Sequence, residues 1–465
     1  MDYKGYRHIP RALFDAITFL AQSLPKRSVP TFLELLFGAM LTQTGFVTDA
    51  VLAVDTVRHW NSYYKWLHFG KWSWVALGCQ TARLALQMFP RRRWFLMIDD
   101  TIVFRSSKKA PGSTIHHQHG NKTNRPTYVR GQCWVTLALT LSKGFRSLGI
   151  PILSRLARRG GNSGKLVAAK TLLRVVAPIF KGFQTILLMD SWYMRCTLIS
   201  HALDHGLQVI GQVRRDTALF HMPERSGKRG RPRKYGERIS AEWINSLPEV
   251  SMECCIYGKT QMVYHRSAVV LARFLNGRAV RIVWSQLENE DRTLTKPCLI
   301  LSTDISLSAA RIILNYGRRW SVEDLFNQLK NRWGWKDTWQ QTRQVLHRWV
   351  QILSVSYAIP QLLVLLDDAK VKTLSSFSPW RLNLKTAVDG LYPVDDSNLR
   401  PAEGFKMGNI FLYALLAISA ILSAIPNCSA VRFSSLKNAV SSRVAACMTV
   451  AFAWLLVMVT VVCPA

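Results

Sequence analysis

Acidic side chains are scarce in this 465-residue chain: 28 Asp and Glu stand against 61 Lys and Arg, giving a formal net charge of +33. So little negative charge argues against a cationic partner and favours a polyanion, with nucleic acid, a ribosome or an anionic membrane surface as the classes that fit. The nine cysteines form no CxxC pair and Cys254 and Cys255 are adjacent, which excludes a disulfide framework and a zinc ribbon and reads as a reduced, cytosolic protein. The opening "MDYKGYRHIPRALFDAITFL" lacks the unbroken apolar run of a signal peptide, because Asp15 interrupts it. Hydrophobic residues make up 49% of the chain, so it is not a disordered basic tail, and its length suits two to four domains. Sixteen Trp and thirteen Tyr add flat surfaces on which unpaired bases can stack.

Apolar periodicity divides the chain. Residues 1–90 alternate apolar stripes with short polar breaks and predict a helical N-terminal domain. Its aromatic and basic centre, "HWNSYYKWLHFGKWSW", suits either a core edge or a DNA-contacting surface. A different rhythm starts at "WFLMIDDT", where a short apolar run ends in two acids, as expected of a buried strand delivering carboxylates at its edge. "CWVTLALTLS", "GIPILSRLA", "QTILLMDSWY" and "LQVIGQVRR" read as further strands, with helices near 163–180 and 192–205. A mixed sheet with helices packed on it follows for residues 91–215. Residues 216–295 predict a β-rich insertion, with Asn276-Gly277 as a two-residue hairpin turn. The core resumes over 296–366, passing through "PCLILST" to helices that carry Glu323. Ser321 and Asp324 have the spacing of a capping box, which predicts a helix restarting after Trp320.

Three of the scarce carboxylates fall where a metal-dependent enzyme needs them. Asp99 and Asp190 end apolar strand-like runs, and Glu323 lies in "NYGRRWSVEDLFNQLKNRW". Two strand-end acids and a helical one can hold two hard divalent ions, Mg²⁺ or Mn²⁺, ~3.5–4 Å apart, which suits phosphoryl transfer on DNA. Tyr316, Arg319 and Lys330 share the helical face of Glu323 within an arc of roughly 60° at ~100° per residue. An ordinary surface ion-pair ladder has the same spacing. A helix restart at Ser321 would shift Tyr316 and Arg319 relative to Glu323.

The full pattern Tyr316-x-x-Arg319-x-x-x-Glu323-x-x-x-x-x-x-Lys330 resembles the Y-R-E-K signature of bacterial insertion-sequence transposases of the DDE type. "LMIDDT" and "LLMDSWY" resemble the two aspartate motifs of that group. The resemblance spans roughly residues 60–366. It implies an RNase H-like core interrupted by a β-rich insertion between the second aspartate and the glutamate. Cut-and-paste transposition is the implied activity: metal-dependent cleavage at transposon ends and strand transfer into target DNA. Asp99, Asp190 and Glu323 become the metal ligands, with Tyr316, Arg319 and Lys330 on the DNA backbone. Asp99 fits the family's motif better than Asp100, because it follows the apolar run directly and stands two positions before Thr101. A homo-oligomer on DNA, at the nucleoid in the cytoplasm, is the expected working state. A non-mobile RNase H-like nuclease and a non-catalytic DNA-binding remnant are the competing readings.

Weaker signals surround this core. "KRGRPRKYG" resembles an AT-hook, in which Arg231 and Arg233 would reach into a narrow minor groove while Pro232 keeps the backbone extended. A solvated basic loop would look the same. His116, His117 and His119 sit in a basic loop without further obvious ligands and suit phosphate contacts better than a metal. "RGGNSGKL" lacks the glycine spacing and the final hydroxyl of a phosphate-binding loop. Residues 367–465 hold two long uncharged runs, "NIFLYALLAISAILSAIPNCSAV" and Val444 to Cys463. Each has the length of a membrane span. A packed helical tail, or sequence acquired by fusion or frameshift, is the expectation, without stable membrane association.

Overall fold

A computed structural model describes residues 11–366, except 55, 57, 118–125, 144–145, 158–162, 225–230 and 257–258. The apolar tail runs and His119 therefore lie outside the described residues.

Five helices open the described residues: α1 (Arg11–Ala21), α2 (Val29–Leu41), α3 (Val47–Leu52), α4 (Trp60–Phe69) and α5 (Trp74–Met88). Four strands follow, β1 (Arg93–Phe104), β2 (Ser113–His117), β3 (Tyr128–Lys143) and β4 (Arg146–Leu156). Helix α6 (Ser163–Val176), β5 (Gln184–Met189), α7 (Cys196–Asp204) and β6 (Gln208–Val213) complete the first part of the sheet. Next come β7 (Leu219–Phe220), α8 (Ala241–Ser246), β8 (Val250–Ile256), β9 (Lys259–Ala272), β10 (Arg278–Leu287) and β11 (Cys298–Ser302). Three helices close the described chain, α9 (Ala309–Gly317), α10 (Ser321–Asn331) and α11 (Arg343–Leu365).

All eleven strands join one sheet, ordered β2-β3-β1-β5-β6-β11-β10-β9-β7, with β4 also on β3 and β8 also on β9. β1, β5 and β6 run parallel, while β3 pairs antiparallel with β1 and β4 pairs antiparallel with β3. This is an RNase H-like arrangement. The insertion strands continue the same sheet, because β10 pairs with β11 and β11 pairs with β6. Parallel strands buried on both faces read as unbroken apolar runs, which is why Trp94–Ile98 and Ile186–Met189 carry no alternating polar residues. Alternation still assigns each side chain to a layer. Trp94, Leu96 and Ile98 face the N-terminal helices, α6 and α7. Phe95 and Met97 face α9 and α10.

Helix α11 crosses between these layers. It is long and apolar enough to span a membrane, but most of its apolar surface is buried inside the protein. The guanidinium of Arg348, 4% exposed, donates to four carbonyls at the end of α4 and in its connection to α5: Leu67 (2.7 Å), His68 (3.1 Å), Gly70 (2.6 Å) and Trp72 (2.9 Å). A loop whose carbonyls face inward would otherwise leave buried acceptors unpaired, so Arg348 ties the N-terminal helices to the core.

Three local features differ from the sequence expectations. β1 does not end at its aspartates; it runs on to Phe104, because β3 supplies ladder partners throughout, from Asp99 opposite Thr136 to Phe104 opposite Gly131. The β9–β10 connection is not a two-residue turn. Residues 273–275 form a 3₁₀ turn, and Asn276 (φ 58°) and Gly277 (φ 80°) then take left-handed conformations to close the loop. Ser321 does not cap α10 either. It is already helical, its hydroxyl bonds Arg318 O and Thr140 Oγ1, and the helix passes through a 3₁₀ turn at Arg318–Trp320 without a cap.

Candidate active site at the β1–β5 edge

Register brings two acids together. Ile98 pairs with Met189 across parallel β1 and β5, so the next residue on each chain, Asp99 and Asp190, emerges side by side. Both continue the layer of Phe95, Met97, Ile186 and Leu188, the one that packs against α10. The apolar face of α10, Val322, Leu325, Phe326 and Leu329, rests in that same layer. Gly149 of β4 permits the close approach, since a Cβ there would sit 2.9 Å from Ser321 O. Arg105, the first residue after β1, holds the turn after α10 through Lys336 O (2.6 Å) and Thr338 O (2.6 Å). The N-terminal end of α10 is held on the same strand by Ser321 Oγ, which donates to Met97 Sδ at 3.2 Å.

This packing lays the polar face of α10 along β1. Arg319 Nη1 lies 3.4 Å from Asp99 Oδ2, and its Nη2 lies 3.1 Å from Glu323 Oε1. Farther along, Lys330 Nζ donates to Thr101 Oγ1 at 2.9 Å. Asp99, Arg319, Glu323, Thr101 and Lys330 therefore line one strip. Tyr316 sits beneath it, 6% exposed, with its hydroxyl on Gln212 Oε1 (3.2 Å) and its ring 5.7 Å from the guanidinium of Arg319. The 3₁₀ turn leaves Arg319 on the Glu323 face.

Charge at this edge is crowded. Burial, then Asp190 and Asp100, push the Asp99 carboxyl up to about 8, and Arg319 only partly offsets them. Burial also raises Asp190, against the Tyr193 backbone N–H and Arg319, which pull it down. For Arg319, burial opposes the charge, but Tyr316, Asp99 and Glu323 outweigh it and keep the guanidinium protonated. Closely placed carboxylates that raise one another's pKa are a common mark of a functional site. Asp99 and Asp190 match a hard divalent cation in charge and donor type. Glu323 has an oxygen engaged by Arg319, and among the described residues no three acidic, His or Cys side chains converge as a ready ligand cage.

Asp100 points to the other side of β1. Lys165 Nζ lies 2.8 Å from its Oδ2, the Tyr193 hydroxyl donates to its Oδ1 at 2.9 Å, and Cys133 Sγ donates at 3.4 Å. Lys165 belongs to "RGGNSGKL", the segment that fails as a phosphate loop, and Tyr193 follows Asp190 by three residues in "MDSWY". Neither position signals this contact in the sequence, because the partners are far apart along the chain.

The remaining candidates lie elsewhere. Arg231 and Arg233 are exposed on a loop beside β7, whose aromatic anchor is Phe220 against Tyr235 at 5.0 Å. Six strand spacings separate β7 from β1, or roughly 29 Å at ~4.8 Å each. His116 Nε2 bonds Thr114 Oγ1 (2.8 Å) and Gly131 O (3.2 Å) at the β2 edge, and His117 stacks edge-on with Tyr128.

An RNase H-like sheet with paired carboxylates at the β1–β5 edge defines the architecture of a nuclease. The family model described as DDE superfamily endonuclease matches residues 20–267, more than half the chain, and the protein belongs to that family. The matched segment carries Asp99, Asp100 and Asp190, and Glu323 lies beyond it. A search of curated proteins found no match.

Proposed function

We propose that this endonuclease-family protein is a DNA transposase of the insertion-sequence type, which cuts transposon ends and joins them to target DNA. The observation that carries the reading is Arg319 spanning Asp99 and Glu323, on the face where Asp190 emerges beside Asp99. Asp99, Asp190 and Glu323 would hold two Mg²⁺ or Mn²⁺ ions, which supply activation of water or a 3′-hydroxyl and stabilisation of the leaving oxygen.

The chain's own groups do the rest. Lys330 and Arg319 stand on the same strip as the acids, so a phosphodiester entering there meets two fixed cations beside the carboxylates. Arg319 then exchanges a carboxylate for a phosphate oxygen, which frees Glu323 to turn inward. Tyr316 offers almost no surface to DNA; its ring and its bond to Gln212 brace Arg319 from below. Arg231 and Arg233 would hold DNA roughly 29 Å away, about eight to nine base pairs at ~3.4 Å each, and add affinity without touching the chemistry. The protein would act as a homo-oligomer on DNA, at the nucleoid and without stable membrane attachment.

The test is to search the DNA flanking the gene for terminal inverted repeats and incubate a labelled duplex of those flanks with Mg²⁺ or Mn²⁺ and a target plasmid. Cleavage at the repeat ends followed by joined products supports the reading. Cleavage without end selectivity or joining identifies a non-mobile nuclease, and binding without any cleavage identifies a remnant.

A further inference from the structure

Asp190 is the first residue after β5, and no helix holds it. Residues 191–195 form a turn, and α7 starts only at Cys196. The backbone N–H of Tyr193 donates to Asp190 Oδ1 at 3.0 Å and is the main backbone contact on this carboxylate, with the Trp192 N–H adding a smaller pull. The orientation of the Tyr193 N–H depends in turn on where the Tyr193 side chain is anchored. The ring is fully buried, and its hydroxyl ends on Asp100 Oδ1. Asp100 is itself held by Lys165, whose ammonium also lies 4.7 Å from the Trp192 ring on the same turn.

We propose that Asp100 is a positioning residue, acting through the Tyr193 hydroxyl and then the Tyr193 N–H to orient Asp190, with Lys165 as its counter-charge. The proposal rests on the reading of Asp190 as a metal ligand. It accounts for the adjacent aspartates of "IDDT": alternation sends Asp99 toward α10 and Asp100 toward α6, so one strand position supplies a ligand and the next aligns the second ligand from behind. Lys165 offsets part of the Asp100 charge, which still adds to the upward push on Asp99 and Asp190. Burial works against the Lys165 charge, but Asp100 outweighs it and keeps the ammonium protonated. Groups that orient metal ligands from behind are worth about 10–100-fold in metal affinity, and that is the size of effect expected here.

The experiment is Mn²⁺ titration of the full-length protein, followed by the electron paramagnetic resonance signal of free Mn²⁺, with thermal melting in EDTA alongside. Asp190→Asn should lose the tight Mn²⁺ site. Tyr193→Phe, which removes one oxygen and keeps the ring, should weaken Mn²⁺ binding about tenfold or more while the EDTA melting temperature stays close to wild type. The double variant Asp100→Asn/Lys165→Met keeps an acceptor for Tyr193 and removes both charges, and it should bind Mn²⁺ nearly as wild type does. If Tyr193→Phe does not fold, Asp100→Ala/Lys165→Met removes the acceptor instead and should show the same loss. Wild-type Mn²⁺ affinity in the variant lacking the Tyr193–Asp100 bond, together with loss in Asp190→Asn, overturns the relay and leaves the metal site standing. Undiminished Mn²⁺ binding by Asp190→Asn overturns the metal-site reading, and the relay with it.

Discussion

Arg319 reaches Asp99 from a different element of the fold, Nη1 to Oδ2 at 3.4 Å, while its other arm stays on Glu323 four residues ahead. One planar cation thus links the strand acid to the helix acid. Lysine has a single point of charge and cannot span both. Arg319→Lys should therefore behave much like Arg319→Ala. Each should slow single-turnover cleavage by about 10²–10³-fold, as expected for loss of one positioned electrostatic donor at a reacting centre. A fully active Arg319→Lys enzyme would show that the two-armed contact does not matter.

The raised Asp99 carboxyl sets a pH dependence for the metal-free protein. Its folded pKa, about 8, lies above the ordinary value of 3.8 expected when unfolded. Between those values the folded chain binds the extra proton, so stability is fullest below pH 4 and is lost as pH rises toward 8. In EDTA, this group should lower the melting temperature between pH 6 and pH 8.5, beyond the trend set by the rest of the chain. Asp99→Asn should remove that part of the dependence, because an amide does not titrate. Identical melting profiles for the two proteins would show that Asp99 titrates normally.

Removal of Arg348 should be costly although it is remote from the chemistry. Arg348→Met keeps the aliphatic bulk but leaves four inward-facing carbonyls, at the end of α4 and in its connection to α5, without their donor. With buried unpaired acceptors at ~1–3 kcal/mol each, some of them recovered by water, a loss of roughly 3 kcal/mol is expected in urea unfolding. A change below about 0.5 kcal/mol would indicate that the loop finds other partners.

Local pattern explains which parts of this protein were legible in its sequence. The apolar runs before Asp99 and Asp190 mark parallel buried strands, and a period of two assigns Asp99 to the layer of Phe95 and Met97. The Arg319–Glu323 pair follows from helical spacing, and it survives although Arg319 itself lies in the 3₁₀ turn. Long-range contacts leave no such trace. Two aspartates in "WFLMIDDTIVF" look like a strand end, yet β3 pairs with the strand well past them. Lys165 and Tyr193 meet Asp100 only because α6 and the β5–α7 turn fold back over β1. Ser321 and Asp324 have capping spacing, but buried Thr140 competes for the hydroxyl and tertiary packing wins.

The Arg-Pro-Arg segment should separate binding from chemistry. Arg231→Ala/Arg233→Ala should flatten the slope of log affinity against log salt by up to about 2, because each phosphate that a side chain neutralises adds ~0.9 to that slope. Cleavage of DNA already bound at saturating protein should change less than twofold, because the loop stands roughly 29 Å from β1. An unchanged salt slope would make this segment a solvated loop.

The last prediction separates the adjacent aspartates. Asp99 lies on the face shared with Asp190 and the Arg319–Glu323 pair, whereas Asp100 lies behind the strand on Lys165 and Tyr193. If metal is held on the α10 side, Asp99→Ala, Asp190→Ala and Glu323→Ala each remove a ligand. Each should abolish Mg²⁺-dependent cleavage of end DNA, with a loss of about 10³-fold or more. DNA affinity should hold within a few-fold, since 61 Lys and Arg carry it and the acids do not. Asp100→Ala removes a group that aligns a ligand, so cleavage should fall about 10–100-fold and remain measurable. Raising Mn²⁺ should recover part of the Asp100→Ala loss and none of the Asp99→Ala loss, because a misaligned site still fills at higher metal concentration and a site lacking its ligand does not. Single-turnover cleavage across an Mn²⁺ series reads both effects. An inactive Asp100→Ala beside an active Asp99→Ala would move the ligand to the other face of β1, and normal cutting by Glu323→Ala would remove α10 from the mechanism.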